Sequence, residues 1–258
     1  MCKLLKLPRS SFYYKPNPKR NDNEFENAVI NEFHKSRNNY GTRKLKIMLA
    51  RRGIYASKRR IGKVMRKYDL VSNYTLKLKK IKKNKVNNDD ISNIVNREFD
   101  NRKHLEVVVS DLTYVRVAGK WNYICVLLDL SNRQIIGSAV GKSKSAQIVK
   151  AAFFTVKSDL RKIKLFHTDR GSEFKNYVVE GILNAFGIDR SLSAKGSPID
   201  NAACESIYSI IKTEFAFNRE FASFDELELL WFDYVNWYNN VRIHGSLGYR
   251  SPAEFAAT

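Results

Sequence analysis

The chain has 258 residues, 43% hydrophobic and 28% charged, with a formal net charge of +20. No apolar run approaches the roughly 20 residues of a membrane span. Cys2, Cys125 and Cys204 are too far apart for a disulfide framework or a zinc pattern, and the N-terminal "MCKLLKLPRSSFYY" lacks the apolar core of a signal peptide, so a cytoplasmic protein without a membrane is expected. The positive charge is uneven. Residues 1–104 hold 28 Lys+Arg against 9 Asp+Glu, whereas residues 105–258 hold 18 against 17. A basic first part joined to a near-neutral remainder suggests a nucleic-acid-binding module attached to something else.

In chain order, "EFENAVINEFHKS" (24–36) reads as an amphipathic helix. "YGTRKLKIMLARRG" reads as a second, with Leu45, Met48 and Leu49 at helical spacing and Gly53 as its stop. "ASKRRIGKVMRKYDL" reads as a third, capped by Ser57, with Ile61, Val64, Met65 and Tyr68 facing inward. Its opposite face carries Arg59, Arg60, Lys63, Arg66 and Lys67. Short helices, tight turns and a basic last helix fit a small helix-turn-helix-like DNA binder. Residues 73–100 are rich in Lys and Asn without an apolar period, and read as a basic linker.

The texture changes at residue 105. "LEVVVSDLTYVRV", "WNYICVLLDL" and "RQIIGSAVG" are three strands with short polar joins, which predicts an antiparallel meander. "SKSAQIVKAAFFTVKSDL" predicts a helix, "KIKLFHTD" a strand, "SEFKNYVVEGILNAFG" a helix ending at Gly187, and "IDRSLS" a short strand. The polar loop "AKGSPID" leads to the helix "AACESIYSIIK". "SFDELELLWFDYVNWYNNVR" predicts a last long helix, capped by Ser223 with Glu226 at the capping-box position. The order β-β-β-α-β-α-β-α points to an α/β fold, a mixed five-stranded sheet covered by helices.

Three acids resist a structural explanation. Asp111 interrupts an apolar strand, where Asp is rare and needs a partner. Asp169 ends a strand, where ligands of open α/β sheets gather. Glu205 opens the helix that follows, and Lys212, seven residues later, stands about 20° from it around an ideal helix. Three converging carboxylates repel one another, and Mg²⁺ or Mn²⁺ would relieve that repulsion. Two such ions support in-line phosphoryl displacement. Asp129 and Asp200 have simpler uses, as a turn former and, with Asn201, as a helix cap.

These acids lie with 57 residues between Asp111 and Asp169 and 35 between Asp169 and Glu205. With "SDLTYV", "VLLDLSNRQIIG", "FHTDRGSEF", "SLSAKGSPIDNAACESIYSIIKTE" and "WYNNVRIHGSLGYRSPAEF", the chain from about residue 24 onward resembles insertion-sequence transposases with a retroviral-integrase-like catalytic core, of the type encoded by a second reading frame. The resemblance implies an RNase H-like fold for residues 101–220, between the basic region 1–72 with its linker 73–100 and a C-terminal helix and tail, 221–258. It implies Asp111, Asp169 and Glu205 as catalytic ligands of two Mg²⁺ ions, with Mn²⁺ as a substitute. Lys212 would contact element-end DNA near the scissile phosphate, and His167 would orient Asp169 or line the site.

The implied reaction is cleavage and joining of double-stranded element-end and target DNA, by a bacterial, nucleoid-associated homo-multimer assembled on that DNA. A nuclease without joining, or an inactive DNA-binding assembly protein, are the alternatives. His34, His104, His167 and His244 form no His/Cys module with the cysteines, so no zinc is expected. No sustained heptad is visible, so part of end recognition is expected from the first-frame product, as partner or fusion.

Overall fold

The computed structural model describes residues 8, 13–14, 22–75, 102–192, 202–216 and 219–258, without the side chains of 202–205. The linker beyond Thr75, the loop 194–200 and the capping pair Asp200–Asn201 lie outside the described residues.

Among the described residues, three helices come first: α1 Asn23–Lys35, α2 Thr42–Arg51 and α3 Lys58–Lys67. Their apolar stripes meet in one cluster of Phe25, Val29, Phe33, Leu45, Leu49, Ile61 and Val64, joined by Ile243 from the far end of the chain. Gly53, at φ +77°, ends α2, and the Ser57 hydroxyl accepts from the Arg60 N–H to start α3. Tyr68 departs from the sequence expectation. The helix stops at Lys67, Asp69 turns left-handed at φ 50°, and Leu70 packs against the cluster instead. Tyr68 is 42% exposed and donates its hydroxyl to Glu26 at 2.6 Å.

The sheet has the order β3-β2-β1-β4-β5. Strands β1 Val107–Val117, β2 Lys120–Asp129 and β3 Ile135–Gly141 form the expected meander, while β4 Leu165–Thr168 and β5 Asp189–Leu192 run parallel to β1. Ala118 and Gly119, both at positive φ, make the two-residue turn between β1 and β2. Asp129 shapes the β2–β3 turn by accepting from Ser131 N–H, and also accepts from Leu105 N–H.

Alternation along the strands loads both faces of the sheet. Val107, Val109, Val115, Ile124, Val126 and Leu128 face α6 Ala202–Ile211 and α7 Phe224–Asn240, whose Trp231, Tyr234 and Tyr238 fill that side. Val108, Cys125 and Leu127 face α4 Ala146–Phe154 and α5 Tyr177–Phe186 on the other. The chain closes with α8 Pro252–Ala256, started by a Ser251–Glu254 capping box.

Several elements are shorter than the periodicity predicts. The helix expected to run to Leu160 stops at Phe154, because the Thr155 hydroxyl turns back to donate to Ala152 O and accept from Ser138 N–H. The helix expected from Ser172 begins at Tyr177. Asn176 caps it, and the residues before it coil so that Phe174 is fully buried. Glu226 closes on the Ala222 N–H rather than on its cap residue Ser223. After Ile211, α6 widens into a five-residue π-helix, Lys212–Ala216. The ideal spacing that aligned Glu205 with Lys212 therefore ends where Lys212 begins, and the extra residue per turn lets Thr213, Glu214 and Phe215 all be buried.

Candidate active site

Parallel pairing of β1 with β4 runs from Val107↔Leu165 to Ser110↔Thr168. The next residue on each strand is an acid, Asp111 on β1 and Asp169 just past β4. Neighbouring strands lie about 5 Å apart, so the register sets the two carboxylates side by side. Beyond this rung β4 ends while β1 runs on, paired with β2 alone, which opens a cleft at the carboxyl end of β4 beside the middle of β1.

Burial pushes the Asp111 carboxyl up to about 7, and the charge of Asp169 adds to the push. A hydrogen bond from Leu112 N–H and the charge of Lys212 work the other way. Asp169 is also raised by burial, against a bond from Gly171 N–H at 2.9 Å. The donors are hard carboxylate oxygens short of positive charge, which suits a divalent cation such as Mg²⁺ or Mn²⁺. Among the described residues no three His, Cys, Asp or Glu side chains converge closely enough to hold an ion. Glu205, the third acid of the sequence reading, has its backbone on the first turn of α6 but its side chain outside the described ones.

What holds α6 over the cleft is Tyr208, one turn beyond Glu205. Its hydroxyl accepts from Asp111 N–H at 3.0 Å and lies 2.6 Å from Asp111 O and 3.1 Å from Val126 O. The helix carrying the third acid is thus fastened to the residue carrying the first. Removing that hydroxyl by Tyr208→Phe strands buried backbone groups, so stability is expected to fall by about 1–3 kcal/mol in urea unfolding. A loss below about 0.3 kcal/mol would contradict the fastening. Lys212, at the start of the π-helix, sets its ammonium 5.7 Å from the Tyr114 ring centroid, close enough to Asp111 to act on its charge.

Two residues of the site escaped the sequence reading. Glu173, buried to 4% exposure, lies four residues past Asp169, and its Oε1 is 3.0 Å from Lys144 Nζ. Its other oxygen is buried and has no hydrogen bond among the described residues. Burial is the largest influence on the Lys144 ammonium and opposes it, but the Glu173 bond, the Glu173 charge and the charges of Asp169 and Asp111 together hold the lysine above its usual range. A Cβ at Gly171 would overlap the Glu173 carboxylate, so a larger residue there would push this acid away from its present place beside Asp169. The signal was within "HTDRGSEF", although nothing in its spacing separates Glu173 from a turn residue. His167 is buried at 1% exposure and is hydrogen-bonded to Ser191 across β4 and β5 at 2.9 Å, so it ties the two strands two residues before Asp169.

The basic face of α3 divides. Arg60 bonds Asp22 at 2.8 Å and stacks on Phe25, and Lys67 bonds Glu26 at 2.6 Å, because the acidic start of α1 lies alongside. Arg59, Lys63 and Arg66 point into solvent. A shallow groove of about 650 Å³ adds Arg43 and Lys46 of α2, with Lys58 at the start of α3, to the basic surface, a contribution that the sequence reading overlooked.

Comparisons with known proteins bear on this arrangement. The profile of the integrase core domain matches residues 101–198, a second integrase core domain profile matches 186–252, and an HTH-like domain matches 20–77. An uncharacterized 31 kDa protein of insertion element IS600 from Shigella sonnei is 29% identical, over 99% of this chain and 97% of that one. The transposase for insertion sequence element IS904 of Lactococcus lactis is 27% identical, over 90% of this chain and 95% of that one. A chain of the simian T-cell lymphotropic virus intasome, in complex with PP2A regulatory subunit B56 gamma, has the same fold, with a TM-score of 0.50 at 12% identity over 83% of this chain and 70% of that one.

Proposed function

We infer that this chain, which belongs to the integrase-core family of insertion-sequence transposases, cleaves and joins DNA with Asp111, Asp169 and Glu205 as its catalytic carboxylates. The observation that carries the assignment is the shared rung: one parallel register delivers Asp111 and Asp169 to the same opening, and Tyr208 fastens the Glu205 helix above it. A pair of divalent cations, held by the three acids, would polarise the scissile phosphodiester and acidify the attacking hydroxyl.

The protein's own part is orientation. The acids fix the cleft, Lys212 stands beside Asp111 to meet a phosphate, and the apolar faces of α6 and α7 keep these groups rigid. Water first opens one phosphodiester at the element end and leaves a 3′-OH. That hydroxyl then attacks a phosphodiester of the target, forming one P–O bond as another breaks, with no covalent protein–DNA intermediate and no Ser or Tyr nucleophile. Arg59, Lys63 and Arg66, with the α2 groove, supply non-specific phosphate contacts, and Arg60 and Lys67 join them only if their ion pairs with α1 open. The working unit is a multimer holding two ends, assisted by the first-frame product.

The test is a strand-transfer assay on element-end duplex with Mg²⁺. The intact protein should give nicked and joined products, and Asp169→Asn and Glu205→Gln should give neither. Normal joining by either variant would sink the assignment. Nicked product without joining would favour a nuclease, and duplex binding without any cleavage would favour an assembly protein.

A further inference from the structure

The hairpin of β1 and β2 carries an unusual surface row. Trp121 is 50% exposed and Tyr114 40% exposed, and their rings meet edge to face at 5.0 Å. Arg116 lies over the Trp121 ring at 5.1 Å, and Lys212 over the Tyr114 ring at 5.7 Å. The order is therefore cation, indole, phenol, cation. One end lies near the Ala118–Gly119 turn, and the other is the lysine that acts on Asp111. Arg116 and Trp121 face each other directly across the ladder, so part of the row serves hairpin stability. That role does not require two large rings to stay this exposed, nor a cation borrowed from α6.

We propose that Arg116, Trp121, Tyr114 and Lys212 form a stacking platform for unpaired bases of the DNA strand whose end occupies the acid cleft. The proposal rests on the transposase reading for its substrate. Aromatic rings interleaved with cations suit single-stranded DNA of any sequence, since every base has a face to stack and every nucleotide a phosphate to neutralise. Stacked bases beyond the terminus would hold the strand's last phosphates against Lys212 and keep the reacting end from re-pairing.

Trp121 offers a direct readout, because the other tryptophans, Trp231 and Trp237, are buried at 0% and 6% exposure. The full chain, in EDTA, is titrated with an oligo-dT single strand, with an end duplex bearing an unpaired 3′ extension, and with the fully paired duplex. The first two should quench the exposed tryptophan, and the paired duplex much less. With labelled DNA, Trp121→Leu and Tyr114→Leu should each weaken single-strand binding about tenfold, with paired-duplex binding nearly unchanged. Trp121→Phe should restore most of the loss, which a merely folded hairpin would not demand. Equal losses on both DNAs, no quenching, or a Phe variant as weak as Leu would overturn the platform. Metal-free binding separates this outcome from the reaction. Platform binding with no strand joining by the intact protein would count against the transposase reading alone. Normal joining with unaltered single-strand binding in both Leu variants would remove the platform alone.

Discussion

Asp111→Asn is expected to cut strand cleavage and joining by about a thousandfold or more while raising the melting temperature. The loss of rate follows from the role assigned to the carboxylate, since transition-state charge stabilisation by a bound cation amounts to several kcal/mol and about 4 kcal/mol corresponds to a thousandfold. The gain in stability follows from the cost of keeping that carboxylate charged. Burial and the neighbouring Asp169 raise Asp111 from 3.8 to about 7, so the folded state holds a proton that the unfolded chain has released. Stability then declines as pH rises from about 4 to 7, and the full penalty persists above 7. Asparagine keeps the oxygen that accepts from Leu112 N–H but escapes the penalty. The difference in melting temperature between variant and parent, measured in EDTA, should open across this window and stay level at pH 8. A variant that melts lower at pH 8, or retains a tenth of the activity, would refute the reading.

The second large effect lies outside the cleft. Arg242 and Glu214 form a buried pair, with side chains 3% and 0% exposed and a closest approach of 2.7 Å. Tyr74 and Tyr234 also donate to the Glu214 carboxylate, and the other arm of Arg242 meets His244. Burial and this guanidinium depress His244 to about 2, so it stays neutral at any working pH. Arg242→Met would leave Glu214 charged and unpaired in the interior, at a cost of about 3–5 kcal/mol. Replacing both partners with Leu at 214 and Met at 242 should cost less than the single change, because no orphan charge remains. Urea unfolding of the two variants checks the ordering, and a double variant weaker than Arg242→Met would contradict it.

The parts of the fold legible in the sequence were those governed by local periodicity. Alternating Val and Ile predicted the meander, and the Ser57 and Gly53 signals bounded their helices. Spacing and neighbouring motifs singled out Asp111 and Asp169, and the structure gives a reason for the pair: both follow the Ser110↔Thr168 rung. What stayed hidden depends on partners far along the chain. Nothing near Thr155 announces that its hydroxyl will engage Ser138 and halt α4. Tyr208 looks like one more apolar helix residue until its hydroxyl is found at Asp111. Glu214 looks like a solvated helix charge until Arg242 reaches it. The π-helix belongs with these, since it carries Glu214 into the interior where Arg242 meets it.

The rung Ser110↔Thr168 also bears on how such a chain tolerates change. The separation of the two acids in space is set by strand pairing, whereas their separation along the chain is set by everything folded between β1 and β4. Surface turns in that interval can gain or lose residues without moving either carboxylate. A single residue added within the four-residue β4 would shift its partner by about 3.3 Å and turn alternate side chains to the opposite face. Length variation is therefore cheap in the connections and prohibitive in one very short segment, so a deletion scan should find β4 the least forgiving stretch between the two aspartates.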